Sequence, residues 1–186
     1  MPKYELAGRT VVITGSTGGL GSAIASALRA RGANLALLDL NQDLVDNQAA
    51  ELGSESVARG WQVDVRSLDS LQSAIDAAAA HFGRVDVVIA NAGIAPMADE
   101  NAWQDVIDVN LTGVYNTLDV STRPMVKAGN GGSIVLISSV AGLVGIGAPM
   151  AGSVGYAAAK HGMVGGGANE IQKSIISKRL LADYRI

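Results

Sequence analysis

A phenol and an ammonium stand one helical turn apart near the end of the chain. Tyr156-Ala157-Ala158-Ala159-Lys160 sets them at i and i+4, on one helix face. A phenol titrates at about 10 in water and is a poor acid or base at neutral pH. An ammonium one turn away favours the phenolate and lowers that value. Such a pair suits proton exchange with an alcohol or a carbonyl. Tyr-x-x-x-Lys also arises for structural reasons alone, so its surroundings decide its meaning. Here Ser138-Ser139 closes a preceding apolar run, and the neighbours of Tyr156 are small and uncharged.

Near the start, Thr14-Gly15-Ser16-Thr17-Gly18-Gly19-Leu20-Gly21 joins a β-branched run to a helical stretch. Glycines allow a tight turn and a close backbone approach. A helix N-terminus beyond them favours negative charge, as a dinucleotide pyrophosphate requires. Gly15, Ser16, Thr17, Gly19, Leu20 and Gly21 are the expected contacts. The spacing is G-x-x-x-G-x-G rather than G-x-G-x-x-G, and a plain turn is the alternative. Asp39 ends the next apolar run, at the distance of roughly twenty residues expected of a ribose-binding carboxylate. It would accept bonds from the ribose hydroxyls and repel a 2′-phosphate. No Lys or Arg lies within residues 16–21 or directly after Asp39 to reverse this, so NAD is favoured over NADP. A strand-end cap is the other reading of Asp39. Asp64, after a third run, is placed to face adenine. Asn91-Ala92-Gly93, after a fourth, is small enough to let a cofactor pass closely.

Positioning these residues takes alternating strands and helices. Strands are expected at 10–14, 34–39, 57–63, 85–90 and 133–138. Helices are expected at 20–31, 42–52, 67–82, 101–127 (interrupted near Pro124) and 153–163. Gly165-Gly166-Gly167 should then stop the last helix, and Ile171, Ile175, Arg179 and Leu180 suggest an amphipathic tail helix. Strand–helix alternation implies βαβ units and a doubly wound parallel sheet. At 186 residues, one domain spanning 1–186 is expected, atypical from about 165 onward.

Composition narrows the chemistry. The chain is 48% hydrophobic and 17% charged, enough apolar content for a core. Its net charge of -3 and 4% aromatics argue against nucleic acid as a ligand. Cysteine is absent, which excludes disulfides, thiolate zinc and a Cys nucleophile. His81 and His161 are too far apart in sequence to suggest a metal site. Residues 128–159 carry no charge, but their glycines, serines and Pro149 argue against a membrane span. No apolar leader follows Met1-Pro2-Lys3-Tyr4-Glu5, so a cytoplasmic location is expected.

Taken together, these motifs resemble the short-chain dehydrogenase/reductase family in its NAD-preferring form. The matching residues are Thr14-Gly15-x-x-x-Gly19-x-Gly21, Asp39, Asp64-Val65, Asn91-Ala92-Gly93, Asn110 within Val109-Asn110-Leu111-Thr112-Gly113, Ser139, and Tyr156 with Lys160. They lie between Ala7 and about Gly165. The stretch Gly155–Val164 is similar to actinobacterial, mycobacterial-type members. The resemblance implies a Rossmann-type α/β/α sheet and hydride transfer between a nicotinamide and a secondary alcohol or ketone. It implies that Tyr156 is the general acid or base and that Ser139 bonds the substrate oxygen. Lys160 would hold the nicotinamide ribose, and Asn110 would hold a water joining Lys160 to solvent. Val65 would stand with Asp64 at the cofactor. A homodimer or homotetramer is implied, paired through the helices at 101–127 and around Tyr156.

Two features depart from the family. The loop between Ser139 and Tyr156 is longer than in many members. The family also continues with a sixth strand, a substrate lid and a seventh strand, where this sequence ends at Ile186. A nucleotide-binding or assembly-only member, impaired in catalysis, is therefore the alternative reading.

Overall fold

A computed structural model describes residues 5–96, 102–129, 131–144 and 151–164. The elements run β1 (Thr10–Thr14), α1 (Gly19–Arg29), β2 (Asn34–Asp39), α2 (Gln42–Leu52), β3 (Ala58–Gln62), α3 (Leu68–Phe82) and β4 (Val87–Ala90). Then come α4 (Ala102–Ile107), a π turn (Asp108–Thr112), α5 (Gly113–Lys127), β5 (Ser133–Leu136), a 3-10 turn (Val140–Gly142) and α6 (Ala151–Val164). The chain divides into two compact units. Among the described residues, one lies within 5–94 and 112–137 and the other within 95–111 and 138–164.

The first unit is a five-stranded parallel sheet in the order β3-β2-β1-β4-β5. Right-handed crossovers in that order put α1 and α2 over one face and α3 and α5 over the other. The packing agrees: α1 lies against α2, and α3 against α5. A strand covered on both faces has no reason to alternate. Accordingly Val11, Val12, Ile13, Leu35, Ala36, Leu37 and Val88 are all fully buried. The edge strands β3 and β5 are only partly covered, which is why 57–63 reads weakly in sequence. Local signals fix several helix ends. The Asn41 side chain accepts from the Leu44 amide at 3.0 Å, and Ser67 from the Ser70 amide at 3.2 Å. Gly83 ends α3 in the left-handed conformation, with φ 80°.

The helix expected at 101–127 is irregular in a different place. It continues through Pro124 to Lys127, and the irregularity is the π turn at Asp108–Thr112. Pro124 lies in the last turn, where its missing N–H removes one bond only. Residues 128–159 contain β5, the 3-10 turn and the first part of α6, not an unbroken apolar helix. Gly165-Gly166-Gly167 and the tail positions Ile171, Ile175, Arg179 and Leu180 lie outside the described residues.

The second unit centres on α6. Helix α4 packs against it, as does the 3-10 turn. Gly155 leaves room for Trp103, and Gly162 for Leu111.

One buried carboxylate ties the first unit together. Asp86, 5% exposed, accepts from the Thr10 amide at 2.9 Å and from Arg9 at 2.8 Å, and pairs with Arg84. Burial pushes its carboxyl pKa up. The Thr10, Arg9 and Arg84 bonds outweigh burial and hold it below the ordinary carboxylate value. A depressed carboxyl contributes stability above its unfolded pKa of about 3.9 and loses it as pH falls through the folded value. Asp86→Ala should therefore lose about 1–3 kcal/mol at pH 7, the cost of leaving the buried Thr10 amide without its partner and of losing two ion pairs. Urea unfolding should show the gap to wild type closing below pH 4; an unchanging gap would exclude the charge as its cause.

Candidate active site

The loop after β1 is pinned from the end of β4. The Asn91 side-chain amide donates to the Thr14 carbonyl at 3.1 Å and to the Gly15 carbonyl at 2.9 Å. The Asn91 and Ala92 amides both donate to the Thr14 hydroxyl at 3.1 Å. The chain reverses at Gly15 with φ 64°, and a Cβ there would lie 2.8 Å from the Ala92 Cα. A Cβ on Gly21 would collide with the Gly15 carbonyl oxygen and lie 2.9 Å from the Ser16 Cα. Glycine is needed at both positions because backbone passes where a side chain would begin.

Gly19 differs. Its φ is ordinary and nothing lies within 4 Å of a Cβ built there. It opens α1, whose N-cap Gly18 offers no side-chain bond and whose first turn has no acid. The first amides of that turn thus have no capping side chain, and the space beside Gly19 is open, a geometry that suits an anion. Leu20 beside it is 55% exposed, and Ser16 is fully buried. Gly19 and Leu20 leave room for a pyrophosphate at the helix start, whereas Ser16 is enclosed by the fold and Thr17 gives both its amide and its hydroxyl to Asp39.

On the other side, Asp39 closes β2 and reaches the loop. Its Oδ2 accepts from the Thr17 amide at 2.8 Å and the Thr17 hydroxyl at 2.7 Å. Its Oδ1 accepts from the Leu40 amide at 2.8 Å. A carboxylate has capacity beyond these bonds, so a ribose diol can still be accommodated.

Asp64 is engaged differently from the sequence expectation. The Arg66 guanidinium grips both its oxygens, at 3.0 Å through Nε and 2.7 Å through Nη2. Those bonds hold its carboxyl below the usual range. Val65 is buried, and its carbonyl accepts from Asn116 on α5 at 3.1 Å. Gly93 is exposed after β4.

Asn110, Ser139, Tyr156 and Lys160 all belong to the second unit. Asn110 is fully buried in the π turn, a rare geometry that recurs at functional sites. Tyr156 is half-buried on α6. Lys160 is 3% exposed, and its Nζ lies 5.7 Å from the Tyr156 ring centroid. Burial pushes the Lys160 ammonium pKa down. Ser139 caps the 3-10 turn, accepting from the Ala141 amide at 3.2 Å. That bond leaves the Ser139 hydroxyl proton available to donate.

Three residues outside the expected site hold this turn on α6. The Ser138 hydroxyl donates to the Lys160 carbonyl at 3.2 Å. The His161 Nδ1–H donates to the Gly142 carbonyl at 2.8 Å; a carbonyl only accepts, so Nδ1 carries the proton. A Cβ on Gly142 would lie 2.6 Å from the Lys160 carbonyl oxygen. His161 is structural, as its place on the helix suggests. Ser138 and Gly142 join it through contacts without a local sequence signature.

Comparison with known proteins adds the family context. A short chain dehydrogenase family model matches residues 9–173. An uncharacterised oxidoreductase of Mycobacterium tuberculosis is 49% identical over 176 residues, covering 86% of this chain and 64% of that one. D-threitol dehydrogenase of Mycolicibacterium smegmatis is 37% identical, covering 77% of this chain and 57% of that one. The crystal structure of a carveol dehydrogenase from Mycobacterium avium in complex with NAD superposes with a TM-score of 0.79 at 32% identity, covering 87% of this chain and 64% of that one. The chain thus spans about three fifths of the length of these proteins.

The two kinds of loop glycine should separate in stability. Gly21→Ala forces backbone apart and should lose about 1–3 kcal/mol. Gly19→Ala meets open space and should change stability by less than about 1 kcal/mol, in the stabilising direction. Equal losses in urea unfolding would contradict this division.

Proposed function

The chain belongs to the short-chain dehydrogenase/reductase family, and from that premise we propose that it is an NAD-dependent oxidoreductase acting on a secondary alcohol or ketone. The observation that carries this reading is Lys160, buried with its ammonium beside the Tyr156 ring. A buried lysine one turn from a tyrosine is costly to keep for packing alone. It suits a phenol that must give and take protons near neutral pH.

The residues divide the work. Gly19, Leu20 and Gly21, at the uncapped start of α1, would hold the pyrophosphate and Asp39 the adenosine ribose, while Gly15, Ser16 and Thr17 shape the loop that presents them. Asp64, Val65, Asn91, Ala92 and Gly93 line the remaining path, with Tyr156 and Lys160 at the nicotinamide ribose. A bound nicotinamide supplies the hydride acceptor or donor. Tyr156 gives its phenolic proton to the carbonyl oxygen during reduction and removes the hydroxyl proton during oxidation. Ser139 donates to the same oxygen and stabilises charge developing there. Lys160 supports the phenolate, and Asn110 holds a water that connects Lys160 to solvent. Arg66 already holds both Asp64 oxygens, so an adenine amino group would share that carboxylate with the guanidinium.

The relatives' names support an alcohol or carbonyl as the small-molecule substrate, and the NAD-bound neighbour supports the nicotinamide cofactor. The preference for NAD over NADP rests on Asp39. We read the chain as one dinucleotide-binding domain in the cytoplasm. Among the described residues no helix is long and apolar enough to cross a membrane. A homodimer or homotetramer is supported by apolar side chains left exposed on helices: Trp103 on α4, Tyr115 on α5 and Val154 on α6.

Three experiments follow from these assignments. Tyr156→Phe should lower NAD-dependent oxidation of secondary alcohols by at least about 10²–10⁴-fold, with NAD affinity nearly unchanged. Equal NADH production by variant and wild type would refute the role of Tyr156. A wild type that binds NAD but oxidises no alcohol would instead favour a nucleotide-binding or assembly role. Calorimetric titration should show NAD binding more tightly than NADP, with Asp39→Ala narrowing the difference; equal affinities in wild type would rule out the preference. Sedimentation at micromolar concentration should show a dimer or larger, and a monomer alone would remove the oligomer.

A further inference from the structure

Gln48 lies on α2, outside every motif that marks the cofactor loop, yet its side chain reaches that loop. Its Nε2 donates to the Ser16 carbonyl at 2.7 Å, in a buried setting. Gln48 is 8% exposed and Ser16 fully buried. The Ser16 amide donates to the Leu38 carbonyl at 3.2 Å, so Ser16 is held through both its backbone groups.

The consequence runs through one rigid plane. The Ser16 C=O and the Thr17 N–H belong to the same peptide group. In a planar trans peptide these two bonds point in opposite directions. With the carbonyl fixed on Gln48, the amide is aimed the other way, and there it meets Asp39 Oδ2 at 2.8 Å. The Thr17 hydroxyl adds its bond to the same oxygen at 2.7 Å. Gln48 therefore acts on Asp39 through a single peptide, from α2 across to the end of β2.

Stability gives a weaker reason for a glutamine here. Its Oε1 is buried with no partner among the described residues. A methionine would fill a similar volume without stranding that acceptor. What a methionine could not do is hold the Ser16 carbonyl.

We infer that Gln48 is a positioning residue for cofactor choice: by locking the Ser16–Thr17 peptide it fixes the Asp39 carboxylate in the orientation that selects a ribose diol over a 2′-phosphate. This inference rests on the proposed NAD preference. It extends that reading to a residue on a different element, whose side chain bonds the loop backbone.

The test is calorimetric titration of the intact chain with NAD and with NADP. Four proteins are compared: wild type, Gln48→Met, Asp39→Ala and the double variant. The ratio of the two affinities should fall about three- to tenfold in Gln48→Met, the effect of one net hydrogen bond. In the Asp39→Ala background the same substitution should change the ratio by less than about twofold, because the group it acts through is gone. Gln48→Leu, a donor-less side chain of another shape, should repeat the result. A lower melting temperature with an unchanged ratio would overturn the inference and leave Gln48 a packing residue. So would an equal change in the ratio with and without Asp39. Wild type that binds neither cofactor overturns the functional reading itself, an outcome visible before any variant is compared.

Discussion

Two side chains flanking β4 bond the backbone of β1 at its two ends. Asp86, just before β4, accepts the Thr10 amide at the start of β1. Asn91, just after β4, donates to the Thr14 and Gly15 carbonyls at its end. Parallel neighbours cannot be joined by a tight turn, and these partners lie 76 or 77 positions apart in sequence. No local connection sets their register. Polar side chains at both ends do so, in addition to the ladder pairing Val11 with Val87 and Ile13 with Ile89.

The glycine loop after β1 depends on that fastening. The sheet order reverses between β1 and β4, which leaves a crevice beyond their C-terminal ends. Asn91 draws the loop across toward β4, so closely that Gly15 and Gly21 have no room for a Cβ. Asp39 and Gln48 hold it from β2 and α2. Residues 14–17 are thus bonded from both sides. Open space remains over Gly19, at the uncapped start of α1. In the proposed role, a loop already ordered would give up less conformational entropy on binding.

Features encoded within one element could be read from the sequence. Buried strands appear as apolar runs, the loop glycines as a cluster between strand and helix, and Tyr156 with Lys160 as an i, i+4 pair. Contacts that depend on the folded chain could not. Asn91 reads only as part of a small tripeptide, because its partners are 76 and 77 positions away. Gly142 reads as one glycine among 23, because the Lys160 carbonyl that excludes its Cβ arrives from a different element. Pro124 gives a strong local breaking signal, yet one missing N–H in a last turn leaves the helix unbroken. The π turn around Asn110 has no compositional mark at all. The Asp64–Arg66 fork is local, an acid and a guanidinium two residues apart in sequence.

Lys160 shows the order in which these constraints act. Burial disfavours its charged form, so at neutral pH an ammonium there opposes folding, and the opposition eases only as pH rises. The Tyr156 ring face beside it offsets part of that cost. An aliphatic side chain would meet the packing need of a buried position on α6 without the charge. The second unit nevertheless places this lysine where its backbone is held as well: Ser138 bonds the Lys160 carbonyl, and the neighbouring His161 bonds Gly142. The same turn is started by Ser139. The bonds that secure the backbone around the buried ammonium therefore also fix the serine hydroxyl on the turn packed against α6, so positioning one chemical group positions the other.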